Sequence, residues 1–267
     1  LYRDMLLDVI RMAQADRNRW DAKIMLHTIR EMEQAFSRLE MFKRRRKVTV
    51  FGSARTAPDH PLYAVARDMG AALAANDYMA ITGAGGGIMT ATHEGAGLDH
   101  SLGFNITLPF EQRSNTVVHG TSHDLAFGFF FLRKLFFVKE ADALILCPGG
   151  FGTLDEALEV LTLVQTGKSP MVPIILLDQP GGQYWQAFTQ FVRSQLADSA
   201  YIHPDDINLP GITALGLGLG FNSLAHFPVD QQARDRRAHH GGEPRRGLQA
   251  DERLDRARQV PVDVERV

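Results

Sequence analysis

The sequence has little of several features that mark particular classes of protein. It contains one cysteine, Cys147, which excludes a disulfide framework and a cysteine-based zinc site and favours a reducing compartment, the cytoplasm. No apolar run reaches the roughly 18 residues of a membrane-spanning helix. The formal net charge is −2, which provides no positive field to attract nucleic acid. We therefore expect neither a membrane nor a nucleic-acid partner.

Lysine is missing from the last part of the chain. The last lysine is Lys168. The composition changes from Pro210 on, and the stretch after Val229 is rich in Arg and Asp with few large apolar residues. We expect a tail over 210–267, and two explanations stay open: a naturally disordered segment, or the product of a reading-frame error in a GC-rich gene. The chain begins without Met and without a secretory pattern, which is typical of a fragment or a trimmed chain.

Residues 1–46 are predicted to form a helical N-terminal extension. Apolar residues such as Ile29, Met32 and Phe36 recur at spacings of three and four, with charged residues between them. The apolar face of this extension either packs on the main domain or contacts a second copy of the chain. The basic run 44–47 that follows is expected to be a solvated junction.

Residues 47–209 alternate between short apolar runs, glycine-containing turns and helical segments. This order predicts an α/β domain with a Rossmann-like, doubly wound parallel sheet. The expected strands lie at 47–51, 78–82, 103–108, 143–147 and 172–177, and the expected helices at 62–75, 88–97, 125–140, 154–165 and 184–196.

Three glycine-containing turns, 52–55, 83–87 and 149–153, are expected at the carboxyl ends of strands, where such sheets bind ligands. Glycine lets backbone N–H groups approach an anion, and a following helix adds its free donors. The turns therefore indicate a phosphorylated ligand. The turn 83–87 lacks the Gly-Lys-Ser/Thr of a P-loop, and Ile88 stands where a dinucleotide-binding loop needs its third glycine, so a nicotinamide oxidoreductase is disfavoured.

The third turn, PGGFGTLDE, adds acidic residues to the expected anion site. It predicts Thr153 at a helix cap and Asp155 and Glu156 in the first turn of that helix. Carboxylates there also suit the helix dipole. Next to a bound phosphate, however, Glu156 needs a task or a cationic partner. Arg133 and Lys134 interrupt an apolar helix and are candidates, because a buried Arg must be paired.

The run FFFLRKLFFVKEADALILCPGGFGTLDEALEVLTLVQTGK resembles the LOG (Lonely Guy) family, often mislabelled lysine decarboxylase. The family hallmark PGGxGTxxE is matched in full at 148–156, and the Arg of a preceding Arg-Lys pair stands 23 residues before the Glu. FGSAR at 51–55 and TGAGGGIMTATHEGA at 82–96 are similar to the family's other two loops, and GFNITLPFEQ at 103–112 to its longer bacterial branch. The resemblance covers residues 45–208.

The resemblance implies a homodimer or higher homo-oligomer that hydrolyses the N-glycosidic bond of a nucleoside 5′-monophosphate, a cytokinin riboside monophosphate or AMP. It implies Arg133 and Glu156 as the catalytic pair, with no cofactor and no metal. Asn105 and Glu111 are weaker candidates for base or ribose contacts. The substrate-binding residues that it implies are Gly52, Ser53, Gly85, Gly86, Gly87, Met89, Lys134, Gly149, Gly150, Gly152 and Thr153.

A second class of function stays open beside the hydrolase. Relatives on the same scaffold carry the molybdenum cofactor or a nucleotide without glycosidic chemistry, and they would share the phosphate-binding glycines. The pair Arg133 and Glu156 favours the enzyme, because a carrier does not need it. Lysine decarboxylation is disfavoured because no lysine stands in a recognisable pyridoxal-phosphate context.

Overall fold

A sheet of seven parallel strands forms the centre of the computed structural model, which describes residues 1–15, 18–107, 113–169, 172–203 and 206, and the backbone of 212–215. The strands run in the order β4-β3-β2-β1-β5-β6-β7, and every pair of neighbours is parallel. Their bounds are Arg46–Phe51 (β1), Tyr78–Thr82 (β2), Ser101–Ile106 (β3), Asp124–Phe127 (β4), Ala143–Leu146 (β5), Ile174–Leu177 (β6) and Ile212–Leu215 (β7).

Helices cover both faces of this sheet, which confirms the predicted Rossmann-like α/β fold. Their bounds are Tyr2–Gln14 (α1), Arg19–Leu39 (α2), Pro61–Ala75 (α3), Ile88–Ala96 (α4), Phe130–Glu140 (α5), Phe151–Gln165 (α6) and Tyr184–Phe191 (α7). Short 3₁₀ turns lie at Glu40–Phe42 and Leu98–His100, and a π-helical turn, Val192–Ala197, continues α7. Two buried clusters, one on each face, form the core.

The strand order reverses direction between β1 and β5. From β1 the chain adds β2, β3 and β4 on one side and then returns to place β5 against the other side of β1. The loops after β1 and β5 leave this point in opposite directions and open a crevice at the carboxyl ends of the strands, the usual ligand position in such sheets.

The helix predicted over 125–140 is wrong in its first part. Residues Asp124–Phe127 form the edge strand β4, and the helix begins only at Phe130. The stretch is apolar at almost every position, and periodicity cannot separate a buried strand from a buried helix in such a run. The cap expected at Thr153 is also wrong: Gly150 caps α6, so Thr153 lies in its first turn and Glu156 follows in the second.

The N-terminal extension is helical, as predicted, and its two helices differ in their packing. Helix α2 buries Ala35 and Leu39, and the ring of Phe36 meets Phe136 of α5 edge-on at 5.2 Å between centroids. Helix α1 buries no residue. Of these two helices, only α2 buries residues against the main domain.

The basic run is a solvated junction only at its first residue, Arg44, which is exposed. Arg46 and Lys47 begin β1, and the Arg46 guanidinium lies 4.0 Å above the ring of Tyr78. The Lys47 side chain is buried, and its ammonium is 3.1 Å from a carboxylate oxygen of Glu140 at the end of α5. A buried lysine needs such a partner, and this pair fastens the last turn of α5 to the first residues of β1.

Strand β7 pairs in parallel with β6 and continues the sheet past residue 209, where the domain was expected to end. The remainder of the expected tail, 216–267, lies outside the described residues, and the division of the chain into three parts stays a prediction. In the part of the chain that the structure describes, no helix combines the length and apolar character that crossing a membrane requires.

Candidate active site

The loops that follow β1 and β5 are joined at the crevice. The backbone N–H of Ser53 donates to the carbonyl oxygen of Pro148 over 3.1 Å. A Cβ on Gly149 would collide with the Thr153 hydroxyl and would lie 3.0 Å from the Ser53 nitrogen. The absence of a side chain at Gly149 therefore allows the backbone of Ser53 and the side chain of Thr153 to lie close together. The carbonyl of Gly149 is held from outside by the Tyr184 hydroxyl, which donates to it over 2.7 Å.

The N-terminus of α6 is free to bind an anion. Its cap residue, Gly150, has no side chain that could accept from the helix, and the first turn holds no acidic residue. The first N–H groups of a helix lack intrahelical acceptors and carry its positive dipole end. A Cβ on Gly150 or Gly152 would meet no atom within 4 Å, so the space above these donors is open. A phosphate fits this position.

The glycines of the turn 83–87 serve a different purpose from those of α6. Gly87 has a φ of +59°, and a Cβ there would collide with the Ser53 carbonyl oxygen. The N–H of Ile88 donates to that same oxygen over 3.0 Å. These contacts press the loop after β2 against the loop after β1, so Gly86 and Gly87 pack two backbones together.

The Arg133 guanidinium lies against the ends of β2 and β3. Its Nε donates to the carbonyl oxygen of Phe104 over 2.8 Å, and its carbon lies 5.1 Å from the centre of the Phe137 ring. A Cβ on Gly83 would collide with Nη2 and lie 3.0 Å from the Met89 sulfur. Burial lowers the pKa of Arg133, and the charge of Glu156 opposes that shift. The group is thus half-buried, hydrogen-bonded to the backbone at Phe104 and packed closely against Gly83.

Glu156 is the acidic group of the site. Its side chain lies on α6, one turn after Thr153, and only 8% of the residue is exposed. Burial raises its pKa from an ordinary 4.5 to about 7, although the cations of Lys134 and Arg133 lower it and the carboxylates of Glu159 and Asp155 add to the rise. A carboxyl group with this pKa can hold or release a proton near neutral pH.

Lys134 is engaged by carboxylates on α6. Its ammonium lies 2.8 Å from Asp155 and 3.0 Å from Glu159, which stand one residue before and three residues after Glu156. Burial alone would lower the pKa of Lys134, but its hydrogen bonds to Asp155 and Glu159 raise it. Lys134 therefore ties α5 to α6 beside the acidic group.

A buried polar network supports the turn 83–87 from below. His93 Nε2 lies 3.1 Å from the Thr82 hydroxyl, and His93 Nδ1 lies 3.1 Å from Nδ2 of Asn115. The N–H of Asn115 donates to the carbonyl of Ala84 over 2.7 Å, while the N–H of Ala84 donates to the Thr82 hydroxyl over 3.0 Å. Burial lowers the pKa of His93 to about 4, so the imidazole is neutral and able to accept.

The structure brings most of the predicted residues to one edge of the sheet. Gly52 and Ser53 follow β1, Gly85 to Gly87 and Met89 follow β2, and the remaining ones lie on α5, on α6 or in the turn between β5 and α6. Asn105, on β3, is half-buried, and its side-chain oxygen accepts from the N–H of Ile106. Glu111 lies outside the described residues. The assignment of these residues to a ligand stays a prediction.

Several residues that shape this site were not predicted. Gly83 and the Phe104 carbonyl receive Arg133, Tyr184 holds Gly149, and Asn115 braces the turn of Ala84. The glycine run contained a signal for Gly83. The other three act through a backbone carbonyl or from positions distant in sequence, and no local pattern marks them.

Among the described residues, no three His, Cys, Asp or Glu side chains come together in a group that could hold a metal ion.

Comparison with known proteins agrees with the motifs. The model of a family described as "possible lysine decarboxylase" matches residues 86–214. Cytokinin riboside 5′-monophosphate phosphoribohydrolase LOG7 of Arabidopsis thaliana is 39% identical over 72 residues, which are 27% of this chain and 31% of that protein. The probable phosphoribohydrolase LOGL5 of Oryza sativa subsp. japonica is 35% identical over 107 residues, 39% of this chain and 40% of that one. The aligned part of the chain thus spans about a third of the length of the curated relatives that it matches. These matches confirm the resemblance to the LOG family.

Two solved structures are similar to this chain. The X-ray structure of TM1055, a structural-genomics target, has a TM-score of 0.48 and 22% identity and covers 68% of this chain and 96% of its own. The molybdenum cofactor binding protein of Rippkaea orientalis has a TM-score of 0.40 and 25% identity, covering 57% of this chain and 87% of its own.

Glu156 and His93 should change the free energy of unfolding with pH in opposite directions. Between pH 4.5 and about 7 the folded chain keeps the Glu156 proton that the unfolded chain has released, so this group lowers stability as pH rises. Between pH 4 and 6.5 the unfolded chain protonates a histidine that the folded chain keeps neutral, so His93 raises stability as pH rises. Relative to the unmodified protein, Glu156→Gln should gain stability with rising pH and His93→Gln should lose it.

Each difference approaches about 1.4 kcal/mol per pH unit, the value for one proton. Urea unfolding of both variants at half-unit steps of pH measures the two slopes. Equal slopes in the two variants would show that at least one of the two pKa shifts, that of Glu156 or that of His93, is wrong.

Proposed function

We propose that this protein hydrolyses the N-glycosidic bond of a nucleoside 5′-monophosphate, a cytokinin riboside monophosphate or AMP, to the free base and ribose 5-phosphate. The observation that carries the proposal is Glu156, a buried carboxyl group with a pKa of about 7, whose charge interacts with that of the Arg133 guanidinium beside an uncapped helix N-terminus. The similarity to named phosphoribohydrolases supports the same reaction.

The substrate is oriented by its phosphate. The open donors at the start of α6 bind the 5′-phosphate, with the Thr153 hydroxyl and the loop of Gly52 and Ser53 beside it. Glu156 follows Thr153 by one helical turn, so the ribose attached to this phosphate reaches the carboxyl group. Fixing the phosphate in this way converts binding energy into positioning of the ribose carbon that reacts.

The two charged side chains have different roles in breaking the bond. When the bond between the ribose C1′ and the base nitrogen breaks, the electron pair goes to the base and positive charge develops on the ribose. The Glu156 carboxylate stabilises that charge and takes a proton from the water that attacks C1′. The Arg133 guanidinium stabilises the negative charge on the departing base. The base then takes a proton from solvent, and Glu156 releases to solvent the proton that it took from water. No step requires a metal or a cofactor.

Hydrolysis is tested by incubating the protein with AMP and with isopentenyladenosine monophosphate and measuring the free base by chromatography. We expect base release from at least one of them. Glu156→Gln should reduce kcat/KM by about a hundredfold or more, the usual contribution of a positioned acid–base group. Glu33→Gln, which changes an exposed carboxylate on α2, is the matched control and should remain active.

The pH dependence separates this mechanism from binding alone. Because the carboxylate form of Glu156 is required, kcat/KM rises with pH to a plateau above about 7. Lys134→Met removes a cation that lowers the pKa of Glu156, so it should move the midpoint to higher pH, which ionisation of the substrate phosphate cannot do. If nucleotide binds but no base is released, the protein is a carrier and the proposal is wrong.

Gly83→Ala tests the position of Arg133 without removing it. The added Cβ collides with the end of a long side chain, which can move, so stability should change by no more than about 1 kcal/mol. The guanidinium is displaced, and kcat/KM should fall by about tenfold or more. In a background that already carries Arg133→Lys, the same substitution should have a much smaller effect. Equal losses in both backgrounds would show that Gly83 does not act through Arg133.

We also infer that the active form contains two copies of the chain or more. The outer sides of α5 and α6 expose Phe131 and Leu135, four residues apart, and Phe151 and Leu158, seven apart; Phe151 is 94% exposed. Apolar side chains that share a helix face in this way favour burial by a partner. Sedimentation should give at least twice the 29.7 kDa chain mass. Leu135→Glu with Leu158→Glu should lower it, and Met41→Glu, at an exposed position elsewhere, should not.

A further inference from the structure

A carboxylate of the N-terminal extension lies at the start of the helix that carries Arg133. The N–H groups of Gly128 and Phe129 donate to the two carboxylate oxygens of Glu31, over 3.0 and 3.4 Å. Helix α5 begins at the next residue, and its own cap residue, Phe129, supplies no side-chain acceptor. Glu31 thus provides from α2 the acceptor and the negative charge that the start of α5 lacks.

A continuous series of hydrogen bonds leads from Glu31 to the Arg133 guanidinium. The carbonyl oxygen of Phe129 accepts the backbone N–H of Arg133 over 3.2 Å. At the other end of the same residue, Arg133 Nε donates to the carbonyl oxygen of Phe104 over 2.8 Å. Phe129, which donates to Glu31, therefore also accepts the hydrogen bond that closes the helical turn ending at Arg133.

The contact between Glu31 and the start of α5 requires glycine at position 128. A Cβ on Gly128 would lie 2.5 Å from Oε1 of Glu31, too close for any other residue unless the carboxylate moved away. The backbone of Gly128 has no positive φ, so the close approach explains the glycine here.

Glu31 itself is held in place by the helix around it. Four and eight residues further along α2, Ala35 and Leu39 are buried in the core, and the Arg38 guanidinium donates to the carbonyl of Asp124 over 2.9 Å. The carboxylate is therefore presented to α5 by an element fixed on the same domain.

We propose that Glu31 is a positioning residue for Arg133, so that the N-terminal extension forms part of the catalytic unit. The inference rests on the proposed function for its catalytic consequence. The inference also states that the Glu31 carboxylate fixes the position of the Arg133 guanidinium, and this can be measured independently of activity.

The test compares three variants of the full chain. Glu31→Gln removes the charge, Gly128→Ala displaces the carboxylate, and Glu33→Gln is the matched control at an exposed position on the same helix. The first two should lower kcat for nucleotide hydrolysis by about tenfold or more, because a small misplacement of a catalytic group has effects of this size. Their KM should stay within about twofold, since the proposed phosphate site lies on α6.

The second measurement is the ¹H–¹⁵N signal of the Arg133 Nε–H group, assigned by its loss in Arg133→Lys. The bond to the Phe104 carbonyl holds this proton, so its signal should shift or broaden in Glu31→Gln and Gly128→Ala and stay unchanged in Glu33→Gln. If the signal is unchanged in the first two variants, the proposal is overturned.

The two measurements also separate this inference from the proposed function. A changed signal with unchanged kcat would overturn the catalytic role of Glu31. An inactive unmodified protein would contradict the proposed function, while the signal would still decide whether Glu31 positions Arg133.

Discussion

Burial of two opposite charges on neighbouring helices is the constraint on which the site depends. Burial removes Glu156 on α6 almost entirely from water and Arg133 on α5 in part, and each shifts the pKa of the other back toward its charged form. A buried charge is tolerated only with partners. The surrounding contacts supply them: the Phe104 carbonyl for Arg133, and the cation of Lys134, held by Asp155 and Glu159, for Glu156. The helices must keep one relative position for all of these to be made.

That position is maintained at both ends of α5. The buried pair of Lys47 and Glu140 fastens its last turn to β1, and the Glu31 carboxylate receives the two N–H groups that precede its first turn. Close backbone approaches do the same for the loops. Gly87 and Gly149 bring the loops after β2 and β5 against Ser53, so three strand ends meet within one crevice. The site is thus a property of contacts between elements.

Sequence patterns predicted the parts of this arrangement that depend on nearest neighbours along the chain. All five predicted strands were placed to within about two residues, and the PGGFGT turn correctly indicated the start of a helix, although the cap proved to be Gly150. The edge strand β4 was missed because Leu125 and Phe127 belong to an apolar run without a period. The burial of Lys47 was not predicted, because its partner, Glu140, lies far along the chain and the pattern of neighbouring charges does not reveal such a contact.

The sequence by itself determined the fold class and the family resemblance and marked Arg133 and Glu156 as candidate site residues, because these follow from short-range periodicity and from motifs of fixed spacing. Only the tertiary structure decided how those residues are held. The raised pKa of Glu156 arises from burial, which no spacing of residues encodes. The contacts of Arg133 with Gly83 and Phe104 bring together α5, the loop after β2 and strand β3. The role of the N-terminal extension likewise follows from Glu31 meeting α5, a contact made across 97 residues of chain.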